Sequence, residues 1–279
     1  MERCFTITVC GASRVGKSTL INAIVGKEVA QTSDSLNSNT TTLKEYVIEK
    51  QRDENDPRSN YTLKFWDTPG IESWTEEGVQ EYFAALMQRT MPVCIIYCIS
   101  PSSFADLGRV KWFVEQCMTR NIFVALVCTN MYSGNRRSQI MEQFTKLLIS
   151  INPNFVRWKQ ENIEYFENKA LCTMVNSKQY IDEDFGISKD PSGVNELIVG
   201  IAQCLSGEQQ LFWLQAVAGN QNFWSRMGSY VNSAFRIPSD TLSSVTNRAS
   251  TVARYFLSWC PSTNSVVENE SRSNRKRKL

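Results

Sequence analysis

The chain has 279 residues, 42% of them apolar and 21% charged, with a formal charge of +2, room for one large domain or one domain with an appendage. Such a composition can build an ordinary core, and so small a charge gives no argument for nucleic acid as a general partner. Histidine is absent, which excludes Ser-His-Asp and Cys-His catalysis and every His-ligated metal site, so any general base is a carboxylate, a water or the substrate itself.

The chain opens on an apolar run, Phe5-Thr6-Ile7-Thr8-Val9-Cys10, read as a strand. Gly11-Ala12-Ser13-Arg14-Val15-Gly16-Lys17-Ser18-Thr19 follows and leads into Leu20-Ile21-Asn22-Ala23-Ile24-Val25, read as a helix. GxxxxGK[ST] therefore stands at a strand-to-helix junction, the context that gives this motif its meaning. Glycines let the backbone wrap tightly and turn its N–H groups inward, where they cradle phosphate oxygens. The start of the helix adds partial positive charge. In this reading Gly11, Ser13, Arg14, Val15, Gly16, Lys17, Ser18 and Thr19 line the phosphates. Lys17 reaches the β- and γ-phosphates, and Ser18 offers its hydroxyl to Mg²⁺.

Gln31 to Thr42 is polar and without either period, so it reads as a loop. Leu43–Glu49 and Tyr61–Trp66 read as strands joined by an exposed hairpin loop over Lys50–Asn60. The second of them ends in Asp67-Thr68-Pro69-Gly70, a DxxG. There Asp67 is expected to hold Mg²⁺ through a water, and the Gly70 N–H to bond the γ-phosphate. The loop Thr40-Thr41-Thr42 lies where a threonine could close over the metal and the γ-phosphate. Thr41 is the expected ligand, with Thr40 and Thr42 as alternatives.

Helices are predicted over Glu76–Gln88, Ala105–Met118, Arg136–Ser150 and Val194–Leu205. They alternate with apolar strands at Val93–Ile99, Ile122–Cys128 and Leu171–Val175, the pattern of a doubly wound α/β sheet with its ligand at the carboxyl ends of the strands. Phe155–Asn168 is expected to be helical. After Ser206-Gly207 two amphipathic stripes are predicted. The first carries Phe223, Trp224, Met227, Tyr230, Val231, Ala234 and Phe235. The second carries Leu242, Val245, Ala249, Val252, Phe256 and Trp259. Beyond Pro261 the chain is polar, ends in Arg275-Lys276-Arg277-Lys278-Leu279 and is expected to be disordered. The three stripe readings are packing on the main domain or on each other, self-association, and a membrane surface met through residues 220–260 with Trp224 and Trp259 at the interface. The basic end is a nuclear-localisation or phosphate-attracting tail, or a solvated terminus.

The nine cysteines form no C-x-x-C pair and are expected to be small buried hydrophobes in a reducing compartment. No apolar run approaches the roughly 20 residues needed to span a bilayer. The first strand begins so near residue 1 that no signal or transit peptide is expected. The expected location is the cytoplasm, with the nucleus or a peripheral membrane as alternatives.

Gly11–Ser18, the threonine loop and Asp67–Gly70 together resemble the first three motifs of a small GTPase (G) domain of the TRAFAC class, over roughly residues 3 to 206. The resemblance implies a P-loop three-layer sandwich with a mostly parallel sheet; the amphipathic stripes add a helical extension over residues 207–260 and the polar end a basic tail over residues 261–279. It also implies GTP binding, two switch loops ordered by the γ-phosphate, and slow Mg²⁺-dependent hydrolysis. The roles of the loop lysine, the metal-binding hydroxyl and the DxxG aspartate carry over onto Lys17, Ser18 and Asp67.

The departures from that pattern are equally specific. Where [NT]KxD is expected the chain has Thr129-Asn130-Met131-Tyr132, so Tyr132 replaces the aspartate that accepts the guanine N–H bonds and Asn130 replaces the lysine over the base. The fifth motif reads Val175-Asn176-Ser177-Lys178. This combination is similar to the septin-like branch that includes the Toc-like and immunity-associated (GIMAP-like, AIG-type) GTPases. That similarity places Asn130 and Asn176 on the base, with polar loop capping as the alternative. Ile71 stands where Ras-like members carry the glutamine that orients water. Arg14 sits where guanylate-binding proteins carry an arginine that acts when two domains face each other. It is a candidate for stabilising transition-state charge across a homodimer formed through the nucleotide face, or a side chain pointing at solvent. Two further functions stay open: a GTP-binding scaffold without hydrolysis, and an ATP-using P-loop protein, since the guanine-reading aspartate is missing.

Overall fold

In the computed structural model, residues 3–32, 43–51, 61–70, 75–103 and 107–227 are described. In chain order the elements are β1 (Arg3–Gly11), α1 (Lys17–Val25), β2 (Lys44–Gln51), β3 (Tyr61–Asp67), α2 (Glu76–Thr90), β4 (Cys94–Ile99), α3 (Leu107–Thr119), β5 (Phe123–Cys128) and α4 (Arg137–Ile151). There follow β6 (Arg157–Gln160), β7 (Ile163–Phe166), β8 (Ala170–Met174), β9 (Tyr180–Asp182), β10 (Ile187–Lys189), α5 (Val194–Cys204) and α6 (Gly207–Ala216). Residues 221–227 form a further short helix.

Eight strands make one sheet in the order β2-β3-β1-β4-β5-β8-β7-β6. The five middle strands, β3, β1, β4, β5 and β8, run parallel. β2 at one edge and the β7 and β6 hairpin at the other run antiparallel to their neighbours. The continuous apolar runs are the strands covered on both faces, as expected. Along β4, Cys94, Ile96 and Cys98 point to the layer of α1, α5 and α6, while Ile95, Tyr97 and Ile99 point to the layer of α2, α3 and α4. β5 divides in the same way. The period of two along each strand thus fills two cores, and the fold is the three-layer α/β sandwich of P-loop proteins.

One predicted helix is corrected. Residues 155–168 hold the β6 and β7 hairpin instead. It is stabilised by the Trp158 ring stacked on Tyr165 at 4.9 Å and by Arg157 within 3.5 Å of Glu164, cross-strand contacts of the kind that hold hairpins together.

Residues 207–227 share the core of the sheet. The Phe212 ring stacks on Phe5 of β1 at 3.6 Å. Trp213 is 1% exposed and donates its indole N–H to the Ile198 carbonyl of α5 at 2.8 Å. Asn220 donates to the Ala23 and Ile24 carbonyls, both at 2.9 Å, and so satisfies the open end of α1. Trp224, expected at a membrane interface, is buried and donates its N–H to the Val217 carbonyl. The remaining stripe residues beyond Met227 and the basic tail lie outside the described residues.

All eight described cysteines are free thiols, and every one except Cys4 is buried. Burial pushes the Cys10 and Cys128 thiols up to about 12, which makes them packing residues rather than nucleophiles. Among the described residues no helix is long and apolar enough to cross a membrane.

Candidate nucleotide-binding site

β1 lies between β3 and β4, and the chain leaves it toward α1 on one face and returns through α2 on the other. That is a switch point of a doubly wound sheet, where a crevice opens at the carboxyl ends of the strands. Residues 11–16 fill this crevice. Gly11 has φ of 136° and packs so closely on β4 that a Cβ would meet the Cys98 carbonyl oxygen at 2.2 Å. No other residue type fits there without moving the loop.

α1 begins without local compensation. Its N-cap is Gly16, no side chain caps it, and its first turn carries no acidic residue. α2 begins differently: the Thr75 hydroxyl accepts from the Gly78 N–H, and Glu76 and Glu77 occupy the first turn. The open N–H groups and the partial positive charge at the start of α1 are therefore available to an anion.

Lys17, the first residue of α1, is 6% exposed and donates its ammonium to the Gly11 and Ala12 carbonyls at 3.2 and 2.8 Å. Burial pushes its pKa down, and the Asp67 carboxylate acts in the opposite direction. Ser18 donates to Asp67 Oδ2 at 2.5 Å. Asp67 is fully buried at the end of β3, level with Val9 of β1. Thr68, next in the DxxG, donates both its hydroxyl and its N–H to the Val9 carbonyl. Gly70 then lies on the loop itself: a Cβ there would fall 2.0 Å from Ser13 Oγ and 2.2 Å from Ser13 N. The two motifs, 49 residues apart at Ser18 and Asp67, thus meet in space.

The donor set fits Mg²⁺. That ion is held by one or two hard oxygen ligands plus phosphate and water rather than by an all-protein cage. Ser18 and Asp67 would supply those oxygens, and among the described residues no cluster of three or more His, Cys, Asp or Glu competes. Thr19 follows in the first turn of α1, half-buried. Val15 is buried, and Arg14 is exposed with φ of 62°. Thr40, Thr41, Thr42 and Ile71 lie outside the described residues.

Sequence reasoning passed over Thr129. Its hydroxyl donates to the Val15 carbonyl at 2.5 Å and ties the loop after β5 to the phosphate loop. The signal was present, since threonine is an accepted first residue of [NT]KxD. Asn130 has φ of 47°, and its amide lies beside Gly16, 3.1 Å from the position a Cβ would take there. Asn176 is buried at the end of β8, where it donates its amide to the Lys178 carbonyl and pairs its backbone with Ser192. Asn130 thus sits at the phosphate loop, and the Asn176 amide closes its own loop.

This constellation is that of a P-loop nucleotide-binding domain. Residues 6–129 match the model of the family described as 50S ribosome-binding GTPase. The GTPase Era of Clostridium kluyveri is 23% identical over 199 residues, covering 69% of this chain and 64% of its own length. Era of Thermoanaerobacter pseudethanolicus is 23% identical over 190 residues, covering 64% and 57%. The chain therefore spans about three-fifths of the length of the curated relatives it matches. Among solved structures, Toc33 from Arabidopsis thaliana with GDP and Mg²⁺ is similar at 19% identity and a TM-score of 0.45, covering 72% of this chain and 84% of that one. Era from Aquifex aeolicus bound to GDP.AlF4⁻ is similar at 16% identity and a TM-score of 0.44, covering 74% and 58%. Over residues 6–129 the chain matches a GTPase family model, and the motif geometry there is that of a P-loop nucleotide-binding fold.

Proposed function

We propose that the chain binds GTP with Mg²⁺, hydrolyses it slowly and acts as a nucleotide-dependent switch or assembly GTPase. The observation that carries this reading is the meeting of Lys17, Ser18, Asp67 and Gly70 around the open start of α1. Bound Mg²⁺ would neutralise charge on the phosphates, with Ser18, Asp67 and Thr41 as its protein ligands. Lys17 and the backbone N–H groups of the loop hold the phosphates in place. Gly70 rests directly on Ser13, so a γ-phosphate in the loop bears on the segment that follows. That contact is the element through which occupancy is transmitted.

Competition for the purified chain between GTP and ATP, each with and without Mg²⁺, tests the reading. GTP is expected to bind more tightly than ATP, and removal of Mg²⁺ to weaken it. Preference for ATP would replace the reading with an ATP-using protein, which the tyrosine at position 132 makes the natural rival. Tight GTP binding with no phosphate release over hours would leave a scaffold.

Hydrolysis is assigned in part to Arg14, whose exposure on the nucleotide face suits a facing protomer. The rate per molecule is expected to rise with protein concentration and to stay flat and low in Arg14→Ala. A wild-type rate independent of concentration, with the variant unchanged, would remove both the homodimer and this role.

A further inference from the structure

The eight-stranded sheet ends at β6, and among the described residues no strand pairs beyond it. All four residues of β6 are exposed. β6 runs antiparallel to β7, with Gln160 level with Ile163, Lys159 with Glu164, Trp158 with Tyr165 and Arg157 with Phe166. The turn between them has two residues, Glu161 and Asn162. Gln160 and Ile163 are therefore the closing pair that exchanges backbone bonds, and such pairs recur at every second position. The 2.9 Å bond from the Glu167 N–H to the Val156 carbonyl keeps the same phase. Trp158 and Gln160 thus direct their backbone groups to β7, whereas the N–H and C=O groups of Arg157 and Lys159 point outward along the open edge.

The side chains divide by the same period. Arg157 and Lys159 lie on the α4 side, where the Thr145 hydroxyl of α4 donates to Glu164 at 2.7 Å. Glu164 stands opposite Lys159 and within 3.5 Å of Arg157. This stretch of edge therefore carries two cations against one carboxylate, which already accepts from Thr145. Val156 and Trp158 lie on the other face. The Trp158 ring is stacked on Tyr165, parallel within 6°. It is 41% exposed, and Val156 is 67% exposed. An open edge beside an exposed apolar face is a template for a further strand, and its charge selects which strand. When two copies pair antiparallel about a two-fold axis, like faces adjoin. Cations would then stand opposite cations, an unfavourable arrangement. A strand with carboxylates at alternate positions meets Arg157 and Lys159 with opposite charge, and lays the residue between them beside Trp158.

We propose that the β6 edge takes an extended acidic segment of a protein partner, added antiparallel as a ninth strand. The residues opposite Arg157 and Lys159 are carboxylates that exchange backbone bonds with them, and a β-branched residue between packs against Trp158. β6 is five strands away from β1, about 24 Å at the usual strand spacing. The partner and a nucleotide at the phosphate loop can therefore be held at the same time. Partner binding at this edge does not depend on which nucleotide the loop takes.

The test is titration of the full chain with three end-blocked pentapeptides. The first is Thr-Glu-Val-Glu-Thr and the second its basic counterpart Thr-Lys-Val-Lys-Thr. The third is the acidic peptide with both Glu nitrogens methylated, which keeps the charge and removes the backbone donors. Wild type is expected to bind the acidic peptide at least about tenfold more tightly than either of the others. On binding, amide hydrogen exchange is expected to slow at Arg157 and Lys159 and to stay unchanged at Trp158 and Gln160. In the double variant Arg157→Glu with Lys159→Glu the preference between acidic and basic peptide is expected to invert, a result that a misfolded chain cannot give. Equal binding of the acidic and basic peptides, binding of neither, or unchanged exchange at Arg157 and Lys159 overturns the proposal. The two cations then only guard the edge against pairing. A wild-type dimer that the double variant abolishes, with no acidic peptide bound, assigns the edge to a second copy and overturns it as well.

Discussion

Replacing Lys17 with methionine lowers GTP affinity at least about a hundredfold, since hydrogen bonds to charged groups contribute about 1.5 to 3 kcal/mol each and every 1.4 kcal/mol is about tenfold. Titration calorimetry reads this directly. The nucleotide-free protein responds differently. The Lys17 ammonium is nearly buried, and burial pulls its pKa below the ordinary lysine value. Its charged form is therefore disfavoured by folding, and the group opposes stability while it stays protonated. That opposition fades as pH rises through the lowered folded value. Methionine keeps the stem packed and removes the charge, so unfolding without nucleotide moves by no more than about 1 to 2 kcal/mol. Large loss of binding with small loss of stability identifies a phosphate ligand; equal losses identify a residue that merely holds the loop together.

Trp213→Ala produces a large loss of stability. The ring is 1% exposed, lies 6.3 Å from the Phe65 ring of β3, and its N–H is bonded to the Ile198 carbonyl. Truncating a buried aromatic costs about 3 to 5 kcal/mol, and the indole bond to the α5 backbone is lost with it. Urea denaturation followed by Trp-independent far-UV signal measures the change. A loss under about 1 kcal/mol would mean that α6 is dispensable to the domain.

The phosphate loop, Lys17, Ser18 and Asp67 were legible because their chemistry is local: a glycine loop between a strand and a helix has few alternatives, and the DxxG closes a strand. The parallel strands were legible because residues such as Cys94–Ile99 and Phe123–Cys128 are buried throughout. The β6 and β7 hairpin was not. Its two strands have four residues each, and its turn uses Glu161 at φ of 51° and Asn162 without glycine or proline. The aromatic spacing of Phe155, Trp158, Tyr165 and Phe166 then fits a helical face as well as a strand. The three-residue strands β9 and β10 gave no period to read. The stripe at Phe223 and Trp224 was seen as apolar, but periodicity states that a face is buried without stating against what. Trp224 bonds Val217 after α6, and Phe223 bonds Asn220, which itself reaches α1 far away in sequence.

The bonds from Asn220 to Ala23 and Ile24 span 197 and 196 residues, and the Phe5 and Phe212 stack is more distant still. The first helix of the chain is thus completed by one of the last residues described. During synthesis α1 and β1 leave the ribosome early, yet their closing contacts wait until residue 220 has emerged. Contacts of such long range are slow to form because the loop between them must be closed first. The carboxyl end of α1 consequently stays open through most of translation, and the helix is completed late in folding rather than early.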